Sequence, residues 1–115
     1  MMPEILNSLQ RIDLFEKFKI QIEKDFNLCG LAEYSPVFES NNLEHVFKTV
    51  VKSIIAIEQK NTEGLKNLLY RIDISENQIK KESTVLINYT FQELMAQLII
   101  KRILQKVIIK EQYSK

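Results

Sequence analysis

Side chains that ionise, bind metal or attack carbon are few in this sequence. It holds one histidine, His45, and one cysteine, Cys29. A single thiol rules out a disulfide or a cysteine-based zinc site within one chain. A transition metal would have to rely on carboxylates, a poor ligand set for such an ion. Glu44 is adjacent to His45, so the two point in different directions, and the Glu-x-x-His spacing of di-iron bundles is absent. Gly30 and Gly64 stand apart and cannot form a phosphate-cradling loop. No serine nucleophile elbow is present. Only composition suggests a Cys29–His45 dyad. Cys29 reads better as a small apolar side chain beside a helix end, and His45 as a solvated residue on a polar helix face. The expectation is a protein that is not an enzyme, with no cofactor, no metal and no evident small-molecule substrate.

Charged residues offer two weaker constellations. "RIDISE" puts Arg71, Asp73 and Glu76 at a chain corner with Lys80 nearby. Favourable electrostatics at a helix start accounts for Glu76, and a binding role for the stretch stays open. From Lys101 to Lys115 the chain carries Lys101, Arg102, Lys106, Lys110 and Lys115 against Glu111 alone. Cations are favourable at the negative end of a helix dipole whatever their use. Lys101, Arg102, Lys106 and Lys110 along one edge of an amphipathic helix are also the minimum a nucleic-acid-binding regulator needs. The shortage of arginine and a net charge of only +1 weigh against that role.

The elements that must position these groups are helical. The 115 residues are 45% hydrophobic and include two Gly and two Pro. That is one globular domain, residues 1–115, able to bury roughly two thirds of its unfolded surface. So little turn chemistry argues against a sheet rich in hairpins. The opening residues lack a basic stretch followed by an apolar one, and no run approaches the ~18 apolar residues of a membrane span. A cytoplasmic protein without a membrane span is expected.

From Pro3 to about Asn27, Ile5, Leu9, Ile12, Phe15, Phe18, Ile22 and Phe26 recur at helical spacing, and Gly30 is the expected stop. Leu31 to Asn42 reads as a connector, with Tyr34, Val37 and Phe38 available to pack beneath it. Asn41 and Glu44 match a capping box for a second helix running to about Gln59. A shorter third helix is capped by Asn61 or Thr62 and buries Leu65, Leu68, Leu69 and Ile72; Gly64 in its first turn weakens it. Ser75 and Gln78 start a short extra helix lasting to about Glu82. "STVLINY", from Ser83 to Tyr89, is read as a packed connector, and Thr90 with Glu93 caps the last helix. The fold class is all-α, a compact bundle of four principal helices with a short helix between the third and fourth.

The last helix poses a question. At about 100° per residue, Phe91, Leu94, Met95, Leu98 and Ile99 share one stripe, while Ile100, Ile103, Leu104, Val107 and Ile108 share another roughly opposite. One reading has the helix bury opposite faces in succession, the second stripe against another chain. Another places it in the middle of the bundle, covered on both sides. A third kinks it near Ile99. The first motivates the leading functional expectation: a cofactor-free helical interaction or adaptor protein that pairs as a homodimer, or with another helical protein, through Ile100, Ile103, Leu104, Val107 and Ile108.

Overall fold

Apolar residues recur every three or four positions along nearly the whole chain, which suits helices and leaves little to pair as a sheet. Residues 4–113, which the computed structural model describes, contain no strand. A 3₁₀ helix, Glu4–Gln10, leads into α1 (Ile12–Leu28). A 3₁₀ turn, Ala32–Tyr34, and an extended stretch lead to α2 (Leu43–Lys60), followed by α3 (Thr62–Ile72), α4 (Glu76–Val85) and α5 (Phe91–Tyr113). The protein is all-α. The division differs from four principal helices and one short one, because the expected first helix is two pieces and α4 takes in Ser83–Val85. The expectations for Pro3 and Lys115 lie outside the described residues.

The break in the first helix has a cause in spacing. Leu6 and Leu9, both buried, are three residues apart and fit a three-residue turn. Leu14, Phe15, Phe18, Ile22 and Phe26 fit an α-helical face. The five-residue step from Leu9 to Leu14 fits neither, and the backbone turns extended at Arg11 (φ −80°, ψ 119°). Ile12, expected in the stripe, therefore faces solvent. Arg11 pairs with Asp13 across the break at 2.6 Å.

Helix ends follow local chemistry. Gly30 takes a left-handed φ of 72° after α1, and the N–H groups of Gly30 and Leu31 donate to the Asn27 and Phe26 carbonyls. That is a Schellman ending, closed by Leu31 burying beside Phe26. Asp73 does the same after α3 at φ 73°, with Ile74 N–H donating to Leu69. Thr90 and Glu93 exchange both hydrogen bonds of a capping box at 3.1 and 2.8 Å. The cap of α2 is Asn42, which accepts from His45 N–H, and not Asn41. Asn41 instead donates to the Leu9 carbonyl at 3.0 Å and ties the connector to the first turns. Phe38 packs on Phe15 and Phe18 with ring centroids 6.2 and 5.6 Å away, while Val37 is exposed.

Gly64 earns its place through space, not flexibility. A Cβ there would lie 2.7 Å from Asn61 Nδ2 and 2.8 Å from Leu31 Cδ2. Neither can move aside freely: Asn61 caps α3 by accepting from Gly64 N–H, and Leu31 is fully buried. Alanine gains up to about 1 kcal/mol of helix propensity. Against that stand overpacking of about 1–3 kcal/mol and a disturbed cap worth about 1 kcal/mol. Gly64→Ala should therefore lower unfolding free energy by about 1–3 kcal/mol in urea titration. A gain in stability would show that Asn61 and Leu31 yield.

The two stripes of α5 resolve in favour of the buried central helix. All seven residues from Leu94 to Ile100 are buried, as are Ile103, Leu104 and Val107. The helix contacts α1, α2, α3, α4 and the N-terminal 3₁₀ helix. Its start is tied to α2 by Gln92 Nε2 donating to Glu58 Oε1 at 2.7 Å. Its end is tied to α1 by Lys17 and Glu111 at 2.7 Å. Neighbours on different sides at the two ends give each stripe its own cover. Neither an exposed second stripe nor a break at Ile99 is observed, for α5 runs unbroken to Tyr113.

Candidate functional site

The five residues expected to meet a partner chain do not form an open surface. Ile100, Ile103, Leu104 and Val107 are sealed within the chain, and Ile108 is half-buried against the same core. This corrects the premise of the expected interface: that stripe lies under the chain's own helices.

His45 is also differently placed from the solvated residue its helix face suggested. It is half-buried, and its Nε2 accepts from Glu39 N–H at 3.1 Å, a latch between the connector and α2. Cys29 is half-buried at the end of α1. Burial pushes its thiol above the ordinary range, and the nearby charges of Arg71 and Asp25 act in opposite directions. A thiol held protonated is a poor nucleophile at neutral pH. Among the described residues no three metal-ligating side chains gather.

Polar groups converge elsewhere. The ties of Lys17 to Glu111, Gln21 to Lys110 and Asp25 to Lys106 run in opposite chain directions, so α1 and α5 lie antiparallel. Along their shared edge opens a cleft of about 470 Å³. Arg102, Lys106 and Lys110, four residues apart, line it from α5; Lys24 faces them from α1, and Arg71 closes one end from the last turns of α3. Lys101, expected on the same edge, does not line it, since adjacent helix positions differ by about 100°. The "RIDISE" corner supplies both Arg71 and, through an ion pair at 3.3 Å to Arg102, Asp73.

At the base lies Asp25, whose side chain is 1% exposed. Its Oδ1 accepts from Arg71 Nε at 3.0 Å and from Gln21 Nε2 at 3.2 Å. Lys106 Nζ stands 3.9 Å from Oδ2, which has no hydrogen-bond donor among the described residues. Gln21 is itself fixed, its Oε1 accepting from Lys110 Nζ at 2.7 Å. Lys106 Nζ also approaches the Arg71 carbonyl at 3.4 Å. A buried carboxylate thus holds one guanidinium by a hydrogen bond, with the Lys106 ammonium 3.9 Å away, and Asp73 pairs with Arg102 at the rim.

Among the described residues five cations and two carboxylates meet here, on a chain whose net charge is +1. Lys24 makes no ion pair among the described residues. A concave surface lined with cations focuses positive potential outward, and what it can do chemically is hold an anion. Asp25 and Gln21 looked unremarkable in sequence, each a polar interruption of an apolar stripe. The one available signal was their i, i+4 spacing on the side of α1 facing the core.

Compared with protein-family models, with curated proteins and with solved structures, the chain matches none.

Proposed function

We propose that this is a cofactor-free helical interaction protein whose working surface is the cationic cleft between α1 and α5, and whose partner presents anionic groups there. The observation that carries the reading is the cation set: Arg71 hydrogen-bonded to Asp25, Lys106 close by, and Lys24, Arg102 and Lys110 around them. Preorganised cations cost a ligand little ordering entropy, which favours charge-assisted contacts. The reading is of binding and not catalysis, because the cleft lining offers fixed charge, one amide and one aliphatic side chain, and neither Cys29 nor His45 lines it. Self-association through α5 has lost its support, since the stripe that suggested it is spent on the chain's own core.

The test uses fluorescein-labelled polyglutamate and labelled mixed-sequence single-stranded DNA, followed by anisotropy on the full chain. At least one probe should bind, and binding should weaken as salt rises because exposed charges are screened within about 10 Å at 0.1 M. The double variant Lys24→Glu with Lys110→Glu, both exposed positions, should lose at least about tenfold in affinity, or 1.4 kcal/mol. No binding of either probe, or binding that the charge reversal leaves unchanged, would overturn the proposal.

A further inference from the structure

The cleft has apolar shoulders, and they say what kind of anion it takes. Ile20, Lys24 and Leu28 follow one another at four-residue steps along α1, a row roughly 12 Å long at 1.5 Å per residue. Ile20 and Leu28 are 68% and 60% exposed. Both line a second depression of about 410 Å³ that shares Lys24 with the cleft. On the opposite wall Ile109, also exposed, lines the cleft between Lys106 and Lys110. A third depression joins the two, running under Ile20, Gln21 and Lys110. The cationic floor is therefore continuous with aliphatic ground on both sides. Two acids lie on that ground: Glu23 beside Ile20, and Glu111, paired with Lys17, in the third depression.

Nucleic acid makes poor use of such a surface, because phosphates answer the cations but nothing in a sugar-phosphate backbone repays covering isoleucine and leucine. Aromatic side chains on which bases could stack do not line the cleft. A polypeptide that alternates carboxylates with aliphatic side chains answers both features at once. Its acids would meet Lys24, Arg102, Lys106 and Lys110, and its aliphatics would cover Ile20, Leu28 and Ile109. The spacing on α1 and α5 matches the i, i+4 rows of an amphipathic helix laid along the groove.

Resting on the cleft being the working surface, we infer that the partner is an acidic amphipathic segment of another protein, gripped by charge in the cleft and by aliphatic contact on its shoulders. Two labelled helical peptides test this, one with glutamate and leucine rows on adjoining faces and a twin with glutamine for each leucine. The leucine peptide should bind at least about tenfold tighter than its twin. Ile20→Gln with Leu28→Gln should weaken the leucine peptide more than its twin and so narrow that difference, Ile109 keeping part of it; both positions are exposed, and circular dichroism checks the fold. Lys24→Glu with Lys110→Glu should weaken both peptides. Equal affinity for the two peptides, or tighter binding of single-stranded DNA than of either, with the charge reversal still weakening binding, would overturn this inference and leave the cleft as an anion site. No charge-dependent binding of any probe would overturn the cleft's role as the working surface.

Discussion

Leu104→Asp should abolish cooperative folding, not split an assembly into monomers. Leu104 is fully buried on α5, the helix contacted by every other α-helix of the chain. Truncation to alanine at such a site costs about 2–5 kcal/mol through lost burial and the cavity left behind. Aspartate adds the penalty of a carboxyl group with no partner, several kcal/mol more. Small domains have only about 5–15 kcal/mol to lose. Thermal melts by circular dichroism should show the variant without a cooperative transition. Ile109→Gln, five residues on and exposed, should melt within a few degrees of wild type, since surface changes usually stay within about 0.5 kcal/mol. A Leu104→Asp protein that keeps its melt while its mass by light scattering falls would place Leu104 at a contact between chains.

That outcome turns on a feature of α5 which sequence poses but does not answer. Two apolar stripes on opposite sides of one helix are equally consistent with two partners inside the chain or with one inside and one outside. The choice depends on whether enough other helix is present to cover both sides, a question of packing order that periodicity does not encode. Here α2 holds the start of α5 and α1 holds its end, so both sides are filled from within.

Local signals were legible where the chemistry is local. The Thr90–Glu93 box, the Ser75 cap and the Gly30 ending each use groups within a few residues, and all form as spacing implies. Two neighbouring asparagines show the limit. Asn41 and Asn42 are equally good caps by type, and a tertiary bond from Asn41 to the Leu9 carbonyl decides which one serves. Ile12 fails for a related reason: a helical stripe continues through it on paper, but Leu6 and Leu9 take a tighter turn.

The cleft was legible only in part. Three of its cations, Arg102, Lys106 and Lys110, announce themselves by four-residue spacing. Nothing in the sequence brings Lys24 or Arg71 to them, because the bonds that do so join residues far apart: Asp25 to Arg71, Gln21 to Lys110, Asp73 to Arg102. Asp25 is the least legible of these residues. On a helical wheel it falls beside Ile22 and Phe26, where a carboxylate is costly unless a cation arrives from elsewhere in the fold.

That cost yields an asymmetry that can be measured. Removing Arg71 leaves Asp25 buried, with Gln21 and a lysine 3.9 Å away as its remaining partners. Stripping one partner from a buried pair typically costs about 3–5 kcal/mol. The Arg71 side chain is itself 37% exposed, and Lys106 stays close, so Arg71→Met should cost less, about 2–3 kcal/mol. Removing Asp25 is milder, since Arg71 and Lys106 both reach water and can hydrate their charges. Asp25→Leu should cost about 1 kcal/mol, with the gain from an apolar side chain offsetting part of the lost pair. The double variant should return to within about 1 kcal/mol of wild type, because no buried charge is left to satisfy. Urea titrations of the three variants read the cycle directly. If the double variant is as unstable as the sum of the singles, then the carboxylate is not coupled to Arg71. Its neighbours would then not be the preorganised cations on which anion binding in the cleft depends.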